Sequence, residues 1–255
     1  MTPVSMEPDA WIRSFGPAAD DTPPLVCLPY AGGAASVYHP LAQRLAPRTR
    51  VLAVQYPGRQ ERYREPTIED LGELADRVFE VVTAAVPGPL ALFGHSMGAL
   101  VAYEVALRMR RAGLPGPLRL FASARRAPSR YRFENVHRRG EDEIVAVLRA
   151  LGGPHAGLLD DPEMRALVLP SVRGDYRATE TYRHDPDGML DRPVTVLTGD
   201  ADPLVTPEEA ADWRRHTTGP VDVRTFPGGH FFLLDHTASI AALVGEAMEA
   251  AATPG

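Results

Sequence analysis

Along the chain, short strand-like runs, most of them dominated by apolar residues, alternate with longer stretches in which apolar residues recur at helical spacing. The runs are Leu25-Val-Cys-Leu28, Val51-Leu-Ala-Val-Gln55, Pro89-Leu-Ala-Leu-Phe93, Leu118-Arg-Leu-Phe-Ala122, Pro193-Val-Thr-Val-Leu-Thr198 and Val221-Asp-Val-Arg-Thr-Phe226. Runs this short read as strands, and an uninterrupted one such as 25–28 reads as a strand covered on both faces. Trp11-Ile-Arg-Ser-Phe15 instead alternates apolar and polar, which predicts a half-exposed strand at a sheet edge. Between the strands, Ile68, Leu71, Leu74, Ala75, Val78, Phe79, Val82 and Val86 make one apolar helical face, as do Ile240, Leu243, Val244, Ala247 and Met248 near the end. Strands alternating with helices, joined by short right-handed crossovers, predict an α/β class with a mainly parallel central sheet and helices on both faces.

Local signals refine the boundaries. Ser36 follows a loop of small residues and is placed to cap a helix, and Thr67-Ile-Glu-Asp70 has the spacing of a capping box. Gly113-Leu-Pro-Gly-Pro117 stops the helix that covers 99–107, while Thr206-Pro-Glu-Glu209 starts another with a cap, a first-turn proline and two carboxylates. Residues 128–190 break the alternation. They carry helical patterns at 144–151 and 164–172 with no strand between, which predicts a helical lid inserted over the carboxyl ends of the strands. The whole chain, 1–255, is expected to be a single domain with that insertion.

Composition narrows the chemistry. A net charge of −6 lacks the basic excess of a nucleic-acid binder. All 27 basic residues are arginine, so a Ser-Lys dyad, a lysine Schiff base and a P-loop lysine are excluded. The single cysteine, Cys27, lies in an apolar run and reads as a small buried hydrophobe; no disulfide framework, thiolate metal cluster or cofactor is expected. Residues 1–9 lack a basic segment followed by an apolar stretch, and no run approaches the roughly 20 apolar residues that cross a bilayer. The expectation is a cytoplasmic protein without membrane contact.

Against that background one turn stands out. Gly94-His95-Ser96-Met97-Gly98 sits between the strand ending at 93 and the helical run 99–107, the setting of a nucleophile elbow rather than of a serine that merely caps a helix. A serine hydroxyl needs a base to take its proton, and the base needs a carboxylate to fix its tautomer. In the α/β-hydrolase arrangement these follow in the order Ser, acid, His, each just past a strand. Asp202 follows the strand 193–198 and His230 follows the strand 221–226. Asp202 is favoured over Asp200, which directly follows the strand-ending glycine and is expected to stabilise the turn through its own backbone. His95 is expected to pack beneath the elbow and His236 to lie on the surface. The oxyanion donors expected are the backbone N–H of Met97 and, from the small-residue loop 29–36, that of Ala31.

Five segments carry a family resemblance: Leu28-Pro-Tyr-Ala-Gly-Gly33, Gln55-Tyr-Pro-Gly-Arg-Gln60, Gly94-His-Ser-Met-Gly98, Asp175-Tyr-Arg-Ala-Thr-Glu-Thr-Tyr182 and Gly229-His-Phe-Phe-Leu233. With them the chain resembles the type II thioesterases that accompany polyketide synthases and non-ribosomal peptide synthetases. The resemblance implies hydrolysis of aberrant or stalled acyl groups from the phosphopantetheine arm of acyl or peptidyl carrier protein domains, transient partners of a monomeric enzyme. Arg125, Arg126, Arg130, Arg132, Arg138 and Arg139 either steer an acidic carrier or form a solvated charged face. Leu167, Val168, Val172 and Tyr176 either line an acyl chamber or pack helix on sheet. The same three catalytic side chains would also serve a carboxylesterase or an acyltransferase, and a non-catalytic binding module of this fold is a further alternative.

Overall fold

A computed structural model describes residues 4–5, 7–16, 22–154 and 157–252 of the chain. Its centre is a seven-stranded sheet in the order β1-β3-β2-β4-β5-β6-β7. The strands are β1 Ile12–Phe15, β2 Leu25–Leu28, β3 Val51–Val54, β4 Ala91–His95, β5 Leu120–Ser123, β6 Val194–Gly199 and β7 Val221–Phe226. Edge strand β1 runs antiparallel to β3, with Ile12 opposite Val54, and every other pairing is parallel. Every residue of β2, β3, β4, β5 and β6 is buried, the polar His95, Ser123, Thr195 and Thr198 included, whereas β1 and β7, which carry more polar residues, are the half-exposed edges.

Helices cover both faces: α1 Pro8–Trp11, α2 His39–Leu45, α3 Leu71–Ala85, α4 Met97–Arg111, α5 Glu141–Ala150, α6 Pro162–Thr181, α7 Pro207–Ala211, α8 Phe232–Asp235 and α9 Thr237–Ala252. Because successive strand residues point to opposite faces, Val26, Leu28, Leu92 and Val196 join the core under α3 and α4, while Leu25, Cys27, Phe93 and Leu197 join the core under α2 and α9. Cys27 is buried there, and burial pushes its thiol up.

Two expected caps differ. Helix α3 begins at Leu71 and is capped by Asp70, whose carboxylate accepts the Glu73 N–H at 2.8 Å. Thr67 lies four residues short of that start because Ile68 is drawn into the core outside the helix. Ser36 falls inside a 3-10 turn, Ala35–Tyr38, and its hydroxyl accepts from Gln60 Nε2 at 2.8 Å, so it caps nothing.

Between β5 and β6 the described residues hold helices α5 and α6 and two 3-10 turns, Val136–Arg138 and Leu158–Asp160, with no strand; His155 and Ala156 lie outside the described residues. Here α6 continues to Thr181, past the 164–172 pattern and through Pro170. Pro170 and Ala166 both lie on the exposed side of the helix, so the carbonyl that proline leaves without its helical partner is not sealed in the core. Val136, Ile144, Val145, Leu159, Leu169 and Val172 form a small core of their own in this insertion.

Candidate active site

The turn between β4 and α4 consists of one residue, Ser96, held at φ +55° and ψ −116°. That backbone conformation costs a non-glycine residue about 1–3 kcal/mol and persists only where neighbours over-determine it. Here the Ser96 N–H donates to the Ser123 carbonyl at 2.8 Å, tying the turn to β5. Gly98 lets the start of α4 lie against the end of β2: a Cβ at this position would stand 2.6 Å from the Leu28 carbonyl carbon. His95 is fully buried beneath the elbow with its Nδ1 3.0 Å from Ser123 Oγ, as expected of a packing residue. Burial, and then the neighbouring His230, holds its pKa well below the usual imidazole value, so the ring is neutral.

The three side chains expected to act together are brought together. His230 Nε2 lies 3.0 Å from Ser96 Oγ, and His230 Nδ1 lies 2.9 Å and 3.1 Å from the two carboxylate oxygens of Asp202. A carboxylate only accepts, so Nδ1 carries the proton and Nε2 is left to accept from the serine hydroxyl. Asp202 Oδ1 also accepts the Leu204 N–H at 2.8 Å, which fixes the carboxylate's plane. Both the acid and the base are nearly shut off from solvent, with side chains 0% and 3% exposed.

Asp200 takes another part than turn closure through its own backbone: its Oδ1 accepts the Gly228 N–H at 2.9 Å and ties the Asp202 loop to the His230 loop. His236 is half-buried rather than a free surface residue. Its Nε2–H donates to the Pro227 carbonyl at 2.8 Å, bracing the base of the His230 loop.

Met97 opens α4, so its N–H has no acceptor one turn back. Ala31 stands in the turn after β2, and with Ser96 and Met97 it lines a pocket whose wall also includes Tyr176, Glu180 and Tyr182. A second, almost wholly apolar pocket shares Ala31 and is walled by Tyr30, Leu148, Val168, Val172 and Phe231. Of the α6 residues singled out, Val168 and Val172 therefore face the apolar pocket and Tyr176 the pocket at Ser96, while Leu167 is 45% exposed and lies in a groove on the outside.

The arginine stretch is largely committed to partners within the chain. Arg126 is buried, 3.5 Å from Glu134 and donating to the Leu204 carbonyl at 3.1 Å; Arg132 pairs with Glu209 at 2.7 Å, and Arg130 pairs with Asp212. Its local charge density thus does not translate into a free cationic face.

One network was not assigned from sequence. Gln55 Oε1 accepts the Ala35 N–H at 2.7 Å, and its Nε2 donates to the Arg59 carbonyl at 3.2 Å. The Arg59 guanidinium grips Asp175 with both ends of its fork, at 2.7 Å and 3.0 Å, with the two side chains 6% and 1% exposed. The available signal was slight: Asp175 is three positions beyond Val172 on one face of α6.

Among the described residues no group of three His, Cys, Asp or Glu side chains is spaced to hold a metal ion, and no helix is long and apolar enough to cross a membrane. A family model described as a thioesterase domain matches residues 23–247. The chain is 48% identical over 250 residues to a probable cadicidin biosynthesis thioesterase of Streptomyces griseus, covering 97% of this chain and 69% of that protein. It is 44% identical over 237 residues to thioesterase PikA5 of Streptomyces venezuelae, covering 91% and 83%. The solved structure of the type II thioesterase BorB from the borrelidin biosynthetic cluster superposes with a TM-score of 0.88 at 51% identity, covering 94% of this chain and 98% of that one.

Proposed function

Since this chain belongs to the thioesterase family, we propose that it hydrolyses acyl thioesters carried on the phosphopantetheine arm of acyl or peptidyl carrier protein domains, removing aberrant or stalled acyl groups during polyketide or non-ribosomal peptide biosynthesis. The observation that carries the reading is the unbroken relay Asp202–His230–Ser96 at the carboxyl end of the sheet of this α/β-hydrolase fold. Ser96 Oγ attacks the thioester carbonyl as His230 Nε2 takes its proton, and Asp202 holds and stabilises the imidazolium. The N–H groups of Met97 and Ala31 receive the developing oxyanion, each donor worth on the order of 3 kcal/mol of barrier. His230 then returns the proton to the departing thiol, takes one from water, and the acyl-serine is hydrolysed to free acid and Ser96. The partner on this reading is a carrier domain met transiently by a single cytoplasmic copy of the chain, and the chemistry is carried by side chains and backbone without a cofactor.

The test is mass spectrometry of a panel of acyl-loaded carrier proteins after incubation with wild type and with Ser96→Ala. The expected result is loss of the acyl mass with release of free acid by wild type alone. Turnover by Ser96→Ala would remove the serine from the mechanism. Cleavage of aryl esters with carrier-bound thioesters left intact would return the site to a carboxylesterase, and products lacking free acid would make it an acyltransferase.

A further inference from the structure

We infer that Asp175 is a positioning residue for the oxyanion loop, and that through it helix α6 must be seated for hydrolysis to proceed. The inference rests on the reading above, in which Ser96 is the nucleophile and the Ala31 N–H an oxyanion donor.

The loop is a tight turn in which the Gly33 N–H donates to the Tyr30 carbonyl at 2.8 Å, with Ala31 and Gly32 between them and Gly32 at φ +76°. Such a turn leaves its central peptide with no bond inside the turn. The bonds come instead from outside. Asp175 Oδ2 accepts the Gly32 N–H at 2.7 Å, and Arg59 Nη1, which pairs with the same oxygen, donates to the Gly33 carbonyl at 3.2 Å. Two consecutive residues after Ala31 are thereby fixed by the two halves of one buried ion pair.

The second hold is steric and comes from the same face of α6. Gly32 lies so close to that helix that a Cβ on it would stand 2.6 Å from Val172 Cγ2. Val172 and Asp175, one turn apart, thus press on Gly32 and bond its N–H together. Displacing α6 removes both holds at once. The Gly32 N–H, on the peptide that follows Ala31, then loses its anchor, the turn as a whole can shift, and the N–H of Ala31 loses its fixed aim at the carbonyl attacked by Ser96. Since preorganised donors act only when aimed in advance, and a misplacement of about 1 Å costs on the order of 100-fold in rate, the loop's anchorage is a rate-determining feature rather than packing alone.

The experiment uses the full chain with three readouts: the competent fraction, titrated by exhaustive phosphonylation of Ser96 with a fluorophosphonate; kcat and KM per competent site for an acyl-pantetheine thioester; and inhibition by the matching trifluoromethyl ketone, whose adduct carries an oxyanion. For Asp175→Asn we expect kcat per site to fall by ~10–100-fold, KM to stay within about twofold, and the ketone to weaken in step with kcat/KM while the titrated fraction approaches that of wild type. Arg59→Lys keeps the charge but not the fork; it is expected to lie between, and it serves if the first variant does not fold. A merely structural role would lower the titrated fraction and leave kcat per site and ketone affinity unchanged, and that result overturns the inference, as does a rise in KM alone. If Ser96→Ala turns over as fast as wild type, the underlying reading fails instead.

Discussion

The relay makes a sharp prediction for Asp202→Asn against Asp200→Asn. In Asp202, Oδ1 is committed to the Leu204 N–H at 2.8 Å while Oδ2 lies 2.9 Å from His230 Nδ1. An asparagine at this position satisfies Leu204 only by placing its carbonyl oxygen there, which puts its NH2 against Nδ1. Two donors cannot face each other, so His230 shifts its proton to Nε2, the nitrogen 3.0 Å from Ser96 Oγ. The base then presents a proton where it must accept one. A wrong tautomer of this kind costs about 10⁴ in kcat, or about 5 kcal/mol of barrier, with the fold intact because shape and the Leu204 bond are kept. Asp200→Asn keeps an acceptor for the Gly228 N–H on an exposed side chain, and its kcat is expected within about threefold of wild type. Steady-state hydrolysis of an acyl-pantetheine thioester, together with the rate of phosphonylation at Ser96, measures both. The reasoning is refuted if Asp202→Asn retains more than a tenth of wild-type kcat, or if Asp200→Asn is the more damaging of the two.

Two further outcomes follow from the elbow and from a buried imidazole away from it. Gly98→Ala places a Cβ 2.6 Å from the Leu28 carbonyl carbon and 2.7 Å from the Pro29 oxygen, so the elbow and the end of β2 must part. The expected result is a loss of at least ~100-fold in kcat with stability lowered by about 2–4 kcal/mol, read by kinetics and urea unfolding; near-normal kinetics would show that the close approach is dispensable. His216 is buried, with Nε2 2.9 Å from Ser129 Oγ, and burial followed by its neighbour His184 pushes its pKa down to about 4. In the unfolded chain an imidazole titrates near 6.5, so between these values the unfolded state takes up a proton that the folded state refuses, and stability is lost as pH falls from about 6.5 toward 4. By pH 5 the loss is about 1–2 kcal/mol, and His216→Gln is expected to flatten that part of the urea-midpoint profile; an unchanged slope would contradict it.

What the sequence made legible follows from where its information is local. Strands β2, β3 and β4 were readable because burial on both faces favours unbroken apolar runs, β5 and β6 because their runs are still mostly apolar, and β1 because an edge strand alternates. Ser96, Asp202 and His230 could be picked out because each stands just past such a run, and parallel strands bring those ends to one edge of the sheet. The carboxyl half of α6 was not readable, since Pro170 reads as a stop and Arg173, Asp175 and Thr179 read as a solvated face. Likewise Arg130 and Arg132 look free until Asp212 and Glu209, some 80 positions away, are folded against them. Polar partners of high sequence separation, as in Arg59 with Asp175 at 116 positions, leave no periodicity to read.

The backbone at the end of β2 links the turn that holds Ser96 to the loop that carries Ala31. Leu28 pairs with Gly94 across the sheet, its carbonyl packs against Gly98 and accepts the Tyr38 hydroxyl at 2.6 Å, and the chain then runs directly into Tyr30, Ala31 and Gly32. The start of α4, just after Ser96, therefore packs on the same segment that leads to Ala31, the second oxyanion donor on the proposed reading. What anchors that segment beyond Gly32 comes from outside the sheet, from Arg59 after β3 and Asp175 on α6. The relay itself, by contrast, is closed by loops following β4, β6 and β7 and draws no hydrogen bond from α6. A substitution at the α6 contact should thus leave Ser96 reactive while spoiling the hole, whereas one at Gly98 should disturb both, because there a single point of backbone contact serves the two halves of the site.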